Sequence, residues 1–272
     1  MTETPLLEAK ALTKRFAGRR SFPWQSVPVV EAVKGVSIAV PRGVSLGIVG
    51  ESGCGKSTLA RMLVGLMPAS SGSIAMDGQA VWAGDSAIDR RARQRIQMVF
   101  QDPLGSLNPR KTVRQLIEAP LIGLKHMTAN DRRERVEALM DLVGLRPEFI
   151  HRHAHEFSGG QCQRIGIARA LATEAEILVL DEPVSALDVS IQAQILKLLS
   201  DLRAQLGLTY LFISHDLSVV NHVCDEVAVM HFGEVVESGS TDKVLKTPSH
   251  AYTKSLLDAV PGHRLEKLQA AG

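Results

Sequence analysis

Glycine, lysine and hydroxyl residues stand together at Gly50-Glu51-Ser52-Gly53-Cys54-Gly55-Lys56-Ser57-Thr58, directly after the apolar run Val44-Ser-Leu-Gly-Ile-Val49. A glycine-rich turn between a buried strand and the helix-forming run Ser57 to Leu66 gathers backbone N–H groups and a helix N-terminus around one concavity. Such a concavity suits a polyphosphate. Lys56 is expected to reach the β- and γ-phosphates as a positive charge, and the Ser57 hydroxyl to ligate Mg2+. The competing explanation is an ordinary glycine turn before a helix; the fitting strand upstream and helix downstream weigh against it.

Ile177-Leu-Val-Leu-Asp181-Glu182 supplies the chemistry that a phosphate loop lacks. Four apolar residues pin two carboxylates at the carboxyl end of a buried strand. There Asp181 is expected to hold magnesium through its water shell, and Glu182 to orient or deprotonate an attacking water. An acidic turn in solvent would look similar were there no phosphate loop. His215 follows the run Thr209 to Ser214, again at a carboxyl end, and is expected to donate to the γ-phosphate or to the attacking water. Gln101 closes Met98-Val-Phe-Gln101 and is expected to touch magnesium and to act as a hinge. Ser158-Gly159-Gly160-Gln161 has no evident task within its own subunit. That points to a second subunit and to a dimer that closes on ATP.

The rest of the chain must position these groups. Its 272 residues amount to one large or two small domains, and 45% hydrophobic content is ample for a packed core. A net charge of +2 and 4% aromatic residues give little support for nucleic-acid binding. The opening Met-Thr-Glu-Thr-Pro lacks the pattern of an export signal, and no apolar run approaches the roughly 20 residues of a membrane-spanning helix. The expectation is a cytosolic protein whose membrane role comes from partners.

Three textures follow along the chain. Leu6 to about Val40 mixes short β-like runs with turns and reads as an antiparallel flap before the core strand. About Asp102 to Arg164 reads as a helical insert, with Val136, Leu139, Met140 and Val143 on one buried face. From Ile177, buried strands return, separated by a helix with Ile191, Ile195, Leu198, Leu202 and Leu206 inward and Gly207 as its stop. Strand, helix and strand at this spacing imply a parallel α/β sheet. Val227 to Met230 and Glu234 to Glu237 read as a hairpin, and the tail after Ser240 as helical and peripheral. The resulting division is 1–101, 102–164, 165–240 and 241–272.

Cys54, Cys162 and Cys224 are an odd set without metal-ligand spacing, which fits a reducing compartment. Cys224 reads as an ordinary buried thiol. Cys162 stands at an apparent helix start, where the dipole can favour thiolate. Cys54 lies inside the phosphate loop, so its alkylation is expected to block nucleotide binding. The basic cluster Arg90, Arg91, Arg93 and Arg95 reads as a solvated helix face.

With these motifs in this order, the chain resembles the ATP-binding cassette ATPases that power membrane transport, from Leu6 to about Pro261. The resemblance implies a P-loop NTPase (RecA-like) core with an antiparallel β subdomain and an α-helical insert. It also implies that Ser158-Gly-Gly-Gln161 is the signature motif reaching the partner's γ-phosphate across a head-to-tail dimer. Ser185-Ala-Leu-Asp188 matches the D-loop at the seam between subunits. Phe16 matches the aromatic that stacks on adenine, with Trp24 as the competing choice.

Gly50 to Arg61, Gln101 to Arg110, Asp181 to Gln192 and His250 to Pro261 are most similar to the bacterial oligopeptide, dipeptide and nickel importer group, and to the second of its two ATPase subunits. That resemblance implies ATP and Mg2+ as cofactors and a second ATPase subunit as partner in a heterodimer, or a homodimer in isolation. It further implies two permease subunits, an indirect solute-binding protein, and a peripheral place on the cytoplasmic face of the inner membrane. The loop Pro103 to Arg110 would receive the permease's coupling helix. Phe157 replaces a usual leucine, Cys162 a frequent arginine or glutamine, and His250-Ala251 the usual His-Pro; none is a phosphate-contacting position. Peptides lead as the solute, with nickel, opines and sugars open. A DNA-repair or translation cassette would carry tandem cassettes, a coiled coil or basic extensions, and a P-loop kinase gives no reason for Ser158 to Gln161.

Overall fold

The computed structural model describes residues 4–18, 29–83, 88–125 and 127–259. It divides into two units, one formed by Met1–Ala87 with Phe212–Gly272 and the other by Ile88–Leu211. Trp24 and the end of the tail from residue 260 lie outside the described residues.

The first unit begins with β1 (Leu7–Ala17) and β2 (Val29–Val40), antiparallel with Leu7 opposite Val40 and Phe16 opposite Val30. Alternation turns Leu7 and Ala9 of one strand and Val36, Ile38 and Val40 of the other into the core, and register shifts on either side of Leu12 bring Leu12 and Val33 in as well. β3 (Ser45–Val49) is buried throughout, and α1 (Lys56–Leu63) follows the glycine loop. β4 (Ser71–Met76) and β5 (Gln79–Ala83) then complete a four-stranded antiparallel sheet in the order β2-β1-β4-β5. The expected flap is present, and it recruits two strands from beyond α1 that the sequence reading did not assign.

The second unit opens with α2 (Arg90–Arg95) and β6 (Ile96–Val99). Arginines of α2 are used within the unit: Arg90 donates to Gly123 O and Arg95 pairs with Glu176. α3 (Val113–Leu124) and α4 (Ala129–Leu142) are each opened by a threonine cap, Thr112 and Thr128, with reciprocal bonds to Gln115 and Asp131. Val136, Leu139, Met140 and Val143 are buried as their spacing requires. Each such side chain contributes about 1.5–3 kcal/mol relative to exposure. The buried carboxylate of Glu118 on α3 accepts Arg132 Nε of α4 at 2.7 Å, which pins the two helices together.

α5 (Gly159–Leu171), β7 (Ile177–Asp181) and α6 (Val189–Leu206) complete this unit, with β6 and β7 parallel. The stripe of α6 differs from expectation. Ile195 and Leu202 are buried as expected, but Ile191 and Leu198 are half-buried and Leu206 is exposed; Leu199, one position on from Leu198, completes the buried stripe. Gly207 stops the helix in the left-handed conformation, as expected.

β8 (Thr209–Ser214) carries the chain back to the first unit. There α7 (Leu217–Val223) precedes β9 (Glu226–His231), which runs parallel to β3, and β10 (Glu234–Ser240), which pairs with β9 as the expected hairpin. α8 (Thr241–Lys246) and α9 (Ala251–Asp258) form the tail. Val244, Leu245, Thr253 and Leu257 are buried, so the tail is packed in place rather than peripheral. No helix among the described residues is long and apolar enough to cross a membrane.

Candidate functional site

In the first unit the loop from Gly50 to Gly55 wraps around a lysine. Lys56 is 5% exposed, and its ammonium donates to Gly50 O at 2.7 Å and to Glu51 O at 2.8 Å, 3.8 Å from Cys54 Sγ. Two of its donors go to the loop's own carbonyls and a third contact, the weak one to the Cys54 sulfur, is the one a phosphate oxygen would most readily replace. A side chain at residue 50 is impossible here: φ is 151°, and a Cβ would lie 2.1 Å from Met230 O. α3, α4 and α5 are capped by hydroxyl side chains, but α1 begins at Gly55 with no side-chain cap. Its first turn is therefore open to a phosphate in the way its dipole favours.

The thiol of Cys54 is buried. Burial pushes its pKa up, and the opposing effect of Lys56 is smaller, so the group is a neutral thiol at physiological pH. Cys162 corrects the expectation of a helix-start thiolate. It is fully buried, its Sγ donates to Ala154 O at 3.4 Å, and burial pushes its pKa up as well. A dipole cannot ionise a thiol that has no water around it. Phe16 is 38% exposed on β1, with Lys14 Nζ over its ring 5.3 Å from the centroid. His215 is exposed after β8, before the Asp216 cap of α7.

The second unit holds the carboxylates. Asp181, at the end of β7, is 2% exposed and Glu182 is 9% exposed. The structure brings Gln101 and Glu182 together, with Gln101 Nε2 donating to Glu182 Oε2 at 3.0 Å. That bond fixes the glutamine amide and leaves its oxygen as the acceptor for a hard cation. Glu182 has a φ of 45°, left-handed for a residue with a side chain, a conformation that costs about 1–3 kcal/mol. The Ser185 N–H and hydroxyl, both donating to Glu182 O at 3.3 and 3.1 Å, help hold it there.

Ser158 turns out to have work inside its own chain. Its hydroxyl accepts the Gln161 N–H while Gln161 Oε1 accepts the Ser158 N–H at 3.1 Å, a reciprocal cap that opens α5. The Ser-x-x-Gln spacing was the signal for it. Ser158 nevertheless remains exposed. Gly159 and Gly160 pack against the segment around Asp188: a Cβ on Gly160 would lie 2.5 Å from Ile191 Cγ2, and one on Gly159 3.1 Å from Leu187 Cδ2. Asp188 is exposed at the start of α6. Arg169 on α5 donates to Ser106 O at 2.7 Å, which ties the loop after Gln101 to the helix that Ser158 opens.

Among the described residues no cluster of three or more His, Cys, Asp or Glu side chains could hold a metal by itself. Ser57 of the first unit, and Gln101 and Asp181 of the second, each carry an oxygen of the kind magnesium takes, a hard cation that completes its shell with phosphate and water.

Sequence and structure comparisons agree with this chemistry. The family model for "ABC transporter" matches residues 33–185. The oligopeptide transport ATP-binding protein OppF of Salmonella typhimurium is 50% identical over 260 residues, 94% of this chain and 78% of that protein. The dipeptide transport ATP-binding protein DppF of Haemophilus influenzae is 48% identical over 258 residues, 95% of this chain and 79% of that protein. Among solved structures, cbiO1 from Clostridium perfringens, part of the ABC transporter complex cbiONQ, has a TM-score of 0.76 at 28% identity, covering 98% of this chain and 100% of that one. A dimeric post-hydrolysis state of the ATP-binding cassette MJ0796 bound to ADP and Pi has a TM-score of 0.73 at 28% identity, covering 86% and 98%. The fold is that of the ATP-binding cassettes, and the chain belongs to the ABC transporter family.

Proposed function

We infer that this chain is the ATP-hydrolysing subunit of a membrane importer for oligopeptides or dipeptides. The observation that carries this reading is a phosphate loop closed around the buried Lys56, in a chain about half identical to proteins named for peptide transport. Gly50, Glu51, Ser52, Gly53, Cys54, Gly55, Lys56, Ser57 and Thr58 cradle the phosphates, and Phe16 stacks on the base. Ser57, Gln101 and Asp181 are the residues that would offer oxygens to magnesium. Bound there, the ion neutralises charge that develops on the phosphate oxygens. Glu182 orients or deprotonates the attacking water, and His215 donates a hydrogen bond to the γ-phosphate or to that water. Ser158, Gly159, Gly160 and Gln161 complete the nucleotide site of the partner subunit, with Asp188 at the seam.

The partners are a second ATPase subunit and two permeases, with a solute-binding protein acting through the permeases. Such an assembly places the chain peripherally on the cytoplasmic face of the inner membrane. The helical region 102–164 is the part that receives the permease, and the Arg169 tie to Ser106 gives it a rigid connection to α5. Reconstitution with the co-encoded permeases and partner ATPase tests the cargo. A binding protein loaded with peptide is expected to stimulate hydrolysis several-fold; stimulation by a nickel- or sugar-loaded protein with none by peptide would refute the peptide assignment.

A further inference from the structure

The tail reaches the phosphate loop through one hydroxyl. Tyr252, in the first turn of α9, accepts the Glu51 N–H on its phenolic oxygen at 3.1 Å. That N–H belongs to the same peptide unit as Gly50 O, which accepts Lys56 Nζ at 2.7 Å. In a planar trans unit the N–H and C=O point to opposite sides. One flat group is therefore held from both directions, by the tail on one side and by the lysine on the other. Glycine at position 50 has backbone freedom that other residues lack, so the orientation of this unit depends on the groups that hold it.

Tyr252 is itself held firmly. Its ring stacks on His231 with centroids 3.7 Å apart and planes at 19°. His231 ends β9, and two residues later the Gly233 N–H donates to Cys54 O at 3.0 Å, so the stack and the loop share one support. The start of α9 is anchored by Glu237 of β10, whose carboxylate accepts the Ser249 N–H and hydroxyl at 2.7 and 2.6 Å and the His250 N–H at 3.1 Å. Burial works against that charge, yet the hydrogen bonds from Ser249 and His250 outweigh it and hold the Glu237 pKa at about 2. The anchor is thus ionised throughout the physiological range. His250 Nδ1 then caps the helix by accepting the Tyr252 N–H at 3.2 Å.

We propose that Tyr252 is a positioning residue for nucleotide binding: it locks the Gly50–Glu51 peptide so that Lys56 is presented to the polyphosphate in one orientation. The tail thereby acts on the nucleotide site through the loop peptide that it holds. This rests on the ATPase reading above, and it adds a residue outside every phosphate motif.

Tyr252→Phe tests it, because the ring stays on His231 and only the acceptor is lost. In the reconstituted complex the KM for MgATP is expected to rise about three- to tenfold, the effect of one net hydrogen bond, with kcat within about twofold of wild type. Affinity for a fluorescent ATP analogue should fall by the same factor, and the melting temperature without nucleotide should not change. An unaltered KM and affinity, or a fall in kcat or melting temperature alone, would overturn the proposal. Glu237→Gln, which loosens the anchor without touching the loop, should move KM in the same direction by a smaller factor. Should Tyr252→Phe not fold, unchanged nucleotide affinity in Glu237→Gln overturns the proposal instead. A wild-type complex that binds the analogue but never hydrolyses ATP would refute the motor reading, while the affinity comparison still decides the role of Tyr252.

Discussion

Glu182→Gln is expected to bind ATP normally and to turn over at least ~100-fold more slowly than the wild type, about 2.7 kcal/mol of barrier. The substitution is nearly isosteric. Glu182 Oε2 accepts from Gln101 Nε2 at 3.0 Å, and the amide oxygen of a glutamine at 182 can accept the same bond. The backbone strain at this position, a φ of 45°, is also unchanged by the substitution. What is lost is a charged acceptor for the proton or dipole of the attacking water, and phosphoryl transfer depends on that positioning far more than on covalent chemistry. Steady-state hydrolysis and equilibrium nucleotide binding on the same preparation check both halves. Near-normal turnover would remove Glu182 from the mechanism.

Ser158→Asp should be just as damaging for a different reason. A simple alanine there confounds two effects, since it also removes the cap of α5 at about 1 kcal/mol. Aspartate caps a helix about as well as serine, so the fold of the subunit is retained. Its exposed carboxylate would face the phosphate of the partner's nucleotide, and a like-charge juxtaposition of that kind costs several kcal/mol. Turnover of the assembled complex is expected to fall by about 100-fold or more, while this subunit's melting temperature and its own ATP affinity stay near wild type. Full activity in the complex would mean that Ser158 serves only its own helix. Gly160 is a poorer probe, because a Cβ would strike Ile191 within the same chain.

The site was legible in the sequence where its physics is local. A strand, a glycine turn and a helix are adjacent in the chain, so Gly50 to Thr58 could be read directly, and so could the carboxylates that end β7. The buried face of α4 followed from spacing alone. Contacts made at long range did not. Tyr252 meets Glu51 across 201 positions, and nothing in the local pattern of α9 announces it. The strands β4 and β5 were missed because Ser71 to Ala83 mixes small and polar residues and gains its strand character by pairing, β4 with β1 and β5 with β4. On α6 the adjacent Leu198 and Leu199 could both extend the stripe of Ile195 and Leu202, and packing buries Leu199. Cys162 was misjudged for a related reason: a helix start suggests thiolate, but only the fold reveals that water is excluded. The cap made by Ser158 and Gln161 was readable and was passed over in favour of the role across the dimer. Both roles are compatible, because Ser158 stays exposed while its hydroxyl accepts the Gln161 N–H and donates to Gln161 Oε1.

The most direct measurement is the mass of Glu182→Gln mixed with its partner ATPase, by light scattering, with and without MgATP. A nucleotide site completed by Ser158 from the opposing subunit requires association that appears with MgATP, is lost when nucleotide is removed, and fails when Ser158→Asp is introduced on the same chain. Association indifferent to nucleotide, or unaffected by Ser158→Asp, would show that this protein does not cleave ATP between two subunits.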